Sequence, residues 1–172
     1  MEDQYKEKPK QQVTLCFFIK EDQILLAMKK RGFGSGWWNG YGGKPEPGIE
    51  ETIEDIAIRE TEQETDGTII KEKDLEKIAI IDFFFPHKPA WDQTVHAFLV
   101  RRWSGEPRES EEMRPQWFRI NDIPYDCMWP GDQHWLPLVL SGKKITGEVY
   151  FLPDGGVQTF SFQEHATLPA SA

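Results

Sequence analysis

One stretch constrains this chain more than any other: GGKPEPGIEETIEDIAIRETEQETDG, from Gly42 to Gly67. Two glycines and a proline-stiffened loop lead into a segment carrying the signals of a helix. Thr52, followed three residues later by Asp55, has the pattern of a capping box, and Gly67, just past Thr65 and Asp66, has that of a helix stop. The spacing predicts a helix over Thr52 to Thr65. At about 100° per residue, Ile53, Ile56 and Ala57 share one stripe, and Glu60, Gln63 and Glu64 continue it toward the C-terminal end. The face aimed at the core turns acidic.

Burying unpaired carboxylates is costly or forces their protonation, so a cation is expected beside them. Oxygen ligands at i and i+4, an amide oxygen between them and a glycine loop nearby suit a hard divalent ion such as Mg²⁺ that also holds substrate phosphates. Taken alone, such a run has a competing reading as the solvated acidic end of a helix. The whole string, however, resembles the box of the Nudix hydrolases: a glycine, a spaced glutamate, seven residues, then Arg-Glu-U-x-Glu-Glu-x-Gly-U, with U aliphatic. Glu51, Arg59-Glu60 and Glu64 fit that box. The chain departs from it in three ways. The loop from Gly43 to Glu51 is two residues longer, Gln63 stands where the first of the paired glutamates would, and Asp66 takes the glycine slot with Gly67 one place late.

The 172 residues suit one domain with a real core. Cys16 and Cys127 are the two cysteines, and neither their number nor their spacing suggests a disulfide framework or a zinc site. No N-terminal apolar segment reads as a signal peptide and no run reaches membrane-spanning length, so the expected setting is the reducing cytoplasm. A net charge of −9 argues against a broad surface for nucleic-acid polymers. It leaves open a nucleotide whose phosphates a metal shields.

Residues 1–12 read as a mobile polar tail, 13–164 as a single domain and 165–172 as a loose C-terminal tail. Val13 to Lys20 and Gln23 to Lys29 are apolar-rich runs flanking Glu21-Asp22, which predicts a hairpin. In Leu75 to Pro86, Phe83 and Phe85 share one face of a strand. HKPAWDQ reads as a turn, and Thr94 to Trp103 returns as a further strand. Ile145 to Leu152 and Gly156 to Glu164 read as strands around a Pro-Asp-Gly-Gly turn. Mixed strands with two helices predict an α/β/α sandwich with a mixed β-sheet between helices. The glycine-rich run from Lys29 to Gly43 alternates with Phe33, Trp37, Trp38 and Tyr41. By itself it reads as a tight loop with aromatics packed beneath.

That run, written MKKRGFGSGWWNGYGGK, is also similar to one Nudix branch, the MutT homologues that destroy oxidised purine nucleoside triphosphates. ESEEMRPQWF, Glu109 to Phe118, and MWPGDQHWLPLVL, Met128 to Leu140, repeat the likeness. The resemblance implies the Nudix α/β/α sandwich and a Mg²⁺-dependent hydrolysis, with Mn²⁺ as a substitute, of 8-oxo-dGTP-like nucleotides to the monophosphate and pyrophosphate. It implies a metal set of the Gly43 carbonyl, Glu60, Gln63, Glu64 and Glu112. Glu60, Glu64 and Glu112 would serve catalysis, with Arg59 bracing the glutamates.

The base pocket implied by the branch falls on Thr14, Lys29, Phe33, Asn39, Phe83, Phe85, Met113, Trp129, Asp132, Trp135 and Phe151. A purine is flat and apolar on its faces, so an indole at Trp129 suits stacking while Asn39 and Asp132 suit edge reading. Trp135 is open between stacking and core packing, and Asp132 could also act as the N-cap of the helix that follows. The branch presents two adjacent carboxylates where this chain has Gly131-Asp132, and often a tyrosine at Val13. Fewer protonation patterns then imply either that oxidised guanine is favoured over oxidised adenine or that the range is narrower altogether. The expected partner is a small-molecule nucleotide bound by a monomer, with no nucleic-acid polymer and no membrane. Two other readings are a Nudix-fold nucleotide sensor that lost turnover through Gln63 and the longer loop, and a hydrolase of another nucleoside diphosphate derivative.

Overall fold

A computed structural model describes residue 9 and residues 11–169. Most of the expected N-terminal tail, and residues 170–172 of the expected C-terminal one, lie outside the described residues. Gln11 and Gln12 already belong to the first strand and His165 to the last, so the regular structure begins two residues earlier and ends one later than expected.

The strands are β1 Gln11–Lys20, β2 Gln23–Lys29, β3 Trp38–Asn39, β4 Thr68–Ile69, β5 Leu75–Phe84, β6 Gln93–Val100, β7 Ser104–Gly105, β8 Met113–Arg119, β9 Lys144–Phe151 and β10 Val157–His165. The helices are α1 Ile53–Thr65 and α2 Asp132–Leu140. One sheet runs β10-β9-β5-β6-β1-β2-β3, with β8 also pairing β2, and β4-β7 forms a separate ribbon. β1 lies parallel to β6 and β5 parallel to β9, while β1–β2, β2–β8, β5–β6 and β9–β10 are antiparallel. The sheet is mixed, as expected.

Because side chains alternate along a strand, each strand feeds both faces of the sheet. Phe17, Ile19, Ile24, Leu26, Ile81 and Val95 join Trp135, Leu136 and Val139 of α2 in one apolar core. Cys16, Phe18, Leu25, Ala27 and Phe98 join Ala57 of α1 in the other. The helices therefore cover opposite faces, giving the three-layer sandwich.

The hairpin between β1 and β2 pairs only near its turn, from Phe18 opposite Leu25 to Lys20 opposite Gln23. Beyond that the two strands part, and the segment after β3 enters the gap. Trp38 and Asn39 pair with Met28 and Ala27 of β2, whereas Tyr41 bridges Cys16 of β1 and Thr14 N–H donates to the Gly43 carbonyl at 2.9 Å. The glycine-rich run is thus wedged between strands by main-chain bonds.

α1 starts on the predicted capping box: Asp55 N–H donates to Thr52 Oγ1 and Thr52 N–H to Asp55 Oδ2, both at 3.1 Å. Its stop differs from expectation. Asp66, with φ 47°, is the left-handed residue that closes the helix, its N–H donating to the Glu62 carbonyl. Gly67 is needed for space instead, since a Cβ there would lie 2.4 Å from the Glu106 carbonyl oxygen. At α2 the N-cap position is Gly131, and Asp132 is the first helical residue, so Asp132 is not the cap. Its carboxylate turns inward and accepts the Trp135 indole N–H at 3.0 Å.

Candidate active site

The wedge brings Gly42 and Gly43 against both β1 and α1. A Cβ on Gly42 would sit 1.9 Å from the Thr14 carbonyl oxygen, and one on Gly43 would sit 2.5 Å from Glu60 Cδ. Only residues without a side chain allow this approach. Gly42 N–H points at Glu64 Oε2 across 3.4 Å, and Thr14 Oγ1 accepts the Gly43 N–H at 3.2 Å. Glu60 and Glu64, one helical turn apart, therefore flank the same Gly-Gly step.

Arg59 organises the other side. Its Nε and Nη2 reach the two carboxylate oxygens of Glu51 at 2.5 and 3.0 Å, Nη1 reaches Glu60 Oε1 at 2.6 Å, and Nη2 reaches the Lys44 carbonyl at 3.2 Å. This forked geometry suits guanidinium and no other side chain. The Arg59 hydrogen bonds hold the Glu51 carboxyl below the usual range. The two extra loop residues are absorbed in an exposed turn where Ile49 N–H donates to the Glu46 carbonyl and Gly48 takes φ 82°, leaving Glu51 in reach of Arg59.

Glu64 carries the strain of its surroundings. Burial, and then the negative charges of Glu60 and Glu112, push its carboxyl up to about 8, against the pull of Gly42 N–H and Lys29. Glu112 itself is exposed beside Arg31, whose Nη2 lies 3.6 Å from Glu112 Oε1. Gln63 is exposed in a shallow groove with Glu51, Asp55, Ile58, Arg59 and Glu62, a different flank of α1 from the one meeting Gly43. Among the described residues no three His, Cys, Asp or Glu side chains converge closely enough to enclose a metal ion.

Next to Glu64 opens a cavity of about 530 Å³. Of the residues expected in a base pocket, Thr14, Lys29, Phe33, Asn39, Phe83, Phe85, Met113, Trp129 and Asp132 line it. Trp135 and Phe151 do not. Trp135 is wholly buried beneath Asp132, and Phe151 stacks behind Phe85 with ring centroids 4.7 Å apart, so both back the wall. Gly32, Gly34 and Gly36 take left-handed φ near 80–87°, which curls the loop so that Phe33 and Trp37 pack on Trp129 with centroids 5.1 and 4.8 Å away.

Several lining residues escaped the sequence reading, notably Lys44, Val95, Gln93 and Trp91. Alternation along β6 could have found Val95 and Gln93, and the tryptophan in the turn following Phe83 and Phe85 was a visible signal for Trp91. Asp132, at the cavity floor, has its carboxyl pushed up to about 7 by burial, partly offset by the Trp135 hydrogen bond.

The NUDIX domain family matches residues 9–139. A Mus musculus protein named oxidized purine nucleoside triphosphate hydrolase is 42% identical over 151 residues, covering 88% of this chain and 93% of its own. A Danio rerio protein of the same name is 45% identical over 139 residues, covering 81% of this chain and 85% of its own. The crystal structure of a MutT protein from Bacillus halodurans superposes with a TM-score of 0.74 at 27% identity, over 88% of this chain and 97% of that one. Family match, overall likeness and the paired glutamates against a Gly-Gly step converge on one conclusion: the chain belongs to the Nudix family of hydrolases.

Proposed function

We propose that this enzyme hydrolyses oxidised purine nucleoside triphosphates to the nucleoside monophosphate and pyrophosphate, removing damaged precursors from the nucleotide pool. One observation carries the reading: a single cavity has aromatic walls at Phe33, Phe83, Phe85 and Trp129, and Gly43, Lys44 and Glu64 along the same lining. A flat base and a charged phosphate chain on one molecule match those two environments. The names of the mouse and zebrafish relatives support the same substrate class.

Nudix hydrolases generally use divalent metal ions, and the donors here fit Mg²⁺. Carboxylate and carbonyl oxygens are the hard ligands it takes, and Glu64 stands among negative charges that a cation would relieve. Glu60, Glu64 and the Gly43 carbonyl would hold the ion, with Glu112 as an outer acidic group. Bound there, Mg²⁺ neutralises charge on the phosphates and lowers the barrier to substitution at phosphorus. Arg59 fixes Glu60 through its bond to Oε1 and anchors the loop through Glu51. Glu64, held at Gly42 N–H, orients the attacking water. Lys44 offers a cation for the phosphate chain. Asn39 and Asp132 read the edge of the base while Trp129 covers its face. Gln63, in its surface groove, stays outside this set, so its lost charge leaves turnover intact.

The reading is tested by incubating the protein with Mg²⁺ and 8-oxo-dGTP, 2-oxo-dATP, dGTP, dATP or ADP-ribose, and measuring monophosphate and pyrophosphate release. Turnover of an oxidised purine that Glu64→Gln abolishes is expected. Turnover confined to ADP-ribose, or none at all, would refute it.

A further inference from the structure

Phe33 and Trp91 are 59% and 40% exposed, high values for large aromatic side chains, yet both line the cavity. They meet across its mouth with ring centroids 5.3 Å apart. Exposed apolar surface that gathers at one cavity rim marks a place where a ligand completes the packing.

The segment bearing Trp91 is built to hold it there. Asp92 Oδ1 accepts the Phe85 N–H at 2.7 Å, Lys88 N–H donates to the Phe85 carbonyl at 2.8 Å, and Trp91 N–H donates to the Lys88 carbonyl at 2.9 Å. These bonds close a tight loop whose ends are the cavity-lining Phe85 and Gln93. Within it the Lys88 ammonium lies 3.9 Å from the Trp91 ring centroid, and Phe85 meets the indole at 85°. The indole is thus fixed by its own loop, while its contact with Phe33 joins it to the glycine-rich run opposite.

We propose that Trp91 is a specificity-determining residue, which stacks on the base and, with Phe33, forms the outer wall of the base site. The proposal rests on the oxidised-purine reading above and adds to it the residue that selects a flat heteroaromatic ring. Trp91 packs with Phe33, Phe85 and Lys88 at the aromatic end of the cavity, so its loss weakens binding without altering the chemical step.

The test compares wild-type protein with Trp91→Ala and Trp91→Phe, using 8-oxo-dGTP for kinetics and 8-oxo-dGMP for calorimetric binding. Trp91→Ala is expected to raise KM and weaken monophosphate binding about tenfold with kcat within about twofold, and Trp91→Phe to recover most of the loss. Unchanged KM and binding in Trp91→Ala, or a fall in kcat alone, would overturn the role of Trp91 while leaving the substrate reading intact. Wild-type protein that neither hydrolyses 8-oxo-dGTP nor binds 8-oxo-dGMP would overturn both. Because the side chain is half exposed, both variants should fold, which thermal melting verifies.

Discussion

The indole N–H of Trp135 donates to Asp132 Oδ1 across 3.0 Å, and both side chains are buried where α2 meets the cavity floor. One neutral donor does not offset the desolvation of a carboxylate, so the Asp132 carboxyl rises from an ordinary 3.8 to about 7. Between those values the folded protein keeps a proton that the unfolded chain releases. This contribution to stability is fully present below about pH 3.8 and is lost as pH rises through about 7. Asp132→Asn should therefore melt higher than wild type at pH 8, by on the order of a few kcal/mol in stability, with the gap closing toward pH 4. Thermal unfolding across that range measures it.

The two glycines at the wedge should respond differently to the same added methyl group. In Gly42→Ala the new Cβ meets a main-chain carbonyl, which cannot move without breaking β1, so a loss of about 2–4 kcal/mol in denaturant unfolding is expected. In Gly43→Ala it meets the end of the Glu60 side chain, which can swing away. That variant should fold nearly as well as wild type and lose most of its turnover.

Replacing either glutamate at the Gly-Gly step separates chemistry from stability. Glu64→Gln and Glu60→Gln should each lower kcat by about a hundredfold or more. Glu64→Gln also removes a half-buried acid beside the like charges of Glu60 and Glu112, so it should unfold no more easily than wild type. A destabilised Glu64→Gln would mean that the Gly42 N–H bond outweighs burial.

Gln63→Glu supplies a carboxylate in an exposed groove already shared by Glu51, Asp55 and Glu62. Steady-state assays over a Mg²⁺ titration should give kcat and metal dependence within about twofold of wild type. A large gain would show that the side chain reaches the ion when substrate is bound.

What was legible in the sequence was local or periodic. The Thr52–Asp55 cap, the turn at Glu21-Asp22 and the shared face of Phe83 and Phe85 are all set within a few residues of themselves, and the sequence reading located each. Asp66 and Gly67 were harder, because a glycine at a helix end serves either a left-handed turn or close packing, and only the position of the Glu106 carbonyl distinguishes the two. β8 went unread as a strand because its pattern, buried at Met113 and half-buried near Trp117, is interrupted by Pro115 and by exposed charges on an edge. Trp135 and Phe151 belong to the wall behind the cavity for a reason no spacing encodes, namely which side chain reaches the surface first. Gln63 shares a helical stripe with Glu60 on a projection, yet it is exposed in a groove with Asp55, Ile58, Arg59 and Glu62, while Glu60 meets Gly43.

The parting of β1 from β2 has a consequence for how this enzyme can change over generations. The Tyr41–Gly43 wedge is hung mainly on amide and carbonyl groups of Thr14 and Cys16, which any residue but proline supplies, joined by the Thr14 hydroxyl that accepts the Gly43 N–H. Substitutions around it can therefore redraw the walls that meet the base while the hydrolytic end keeps its coordinates. Drift in substrate preference and conservation of reaction are, in this architecture, mechanically separate.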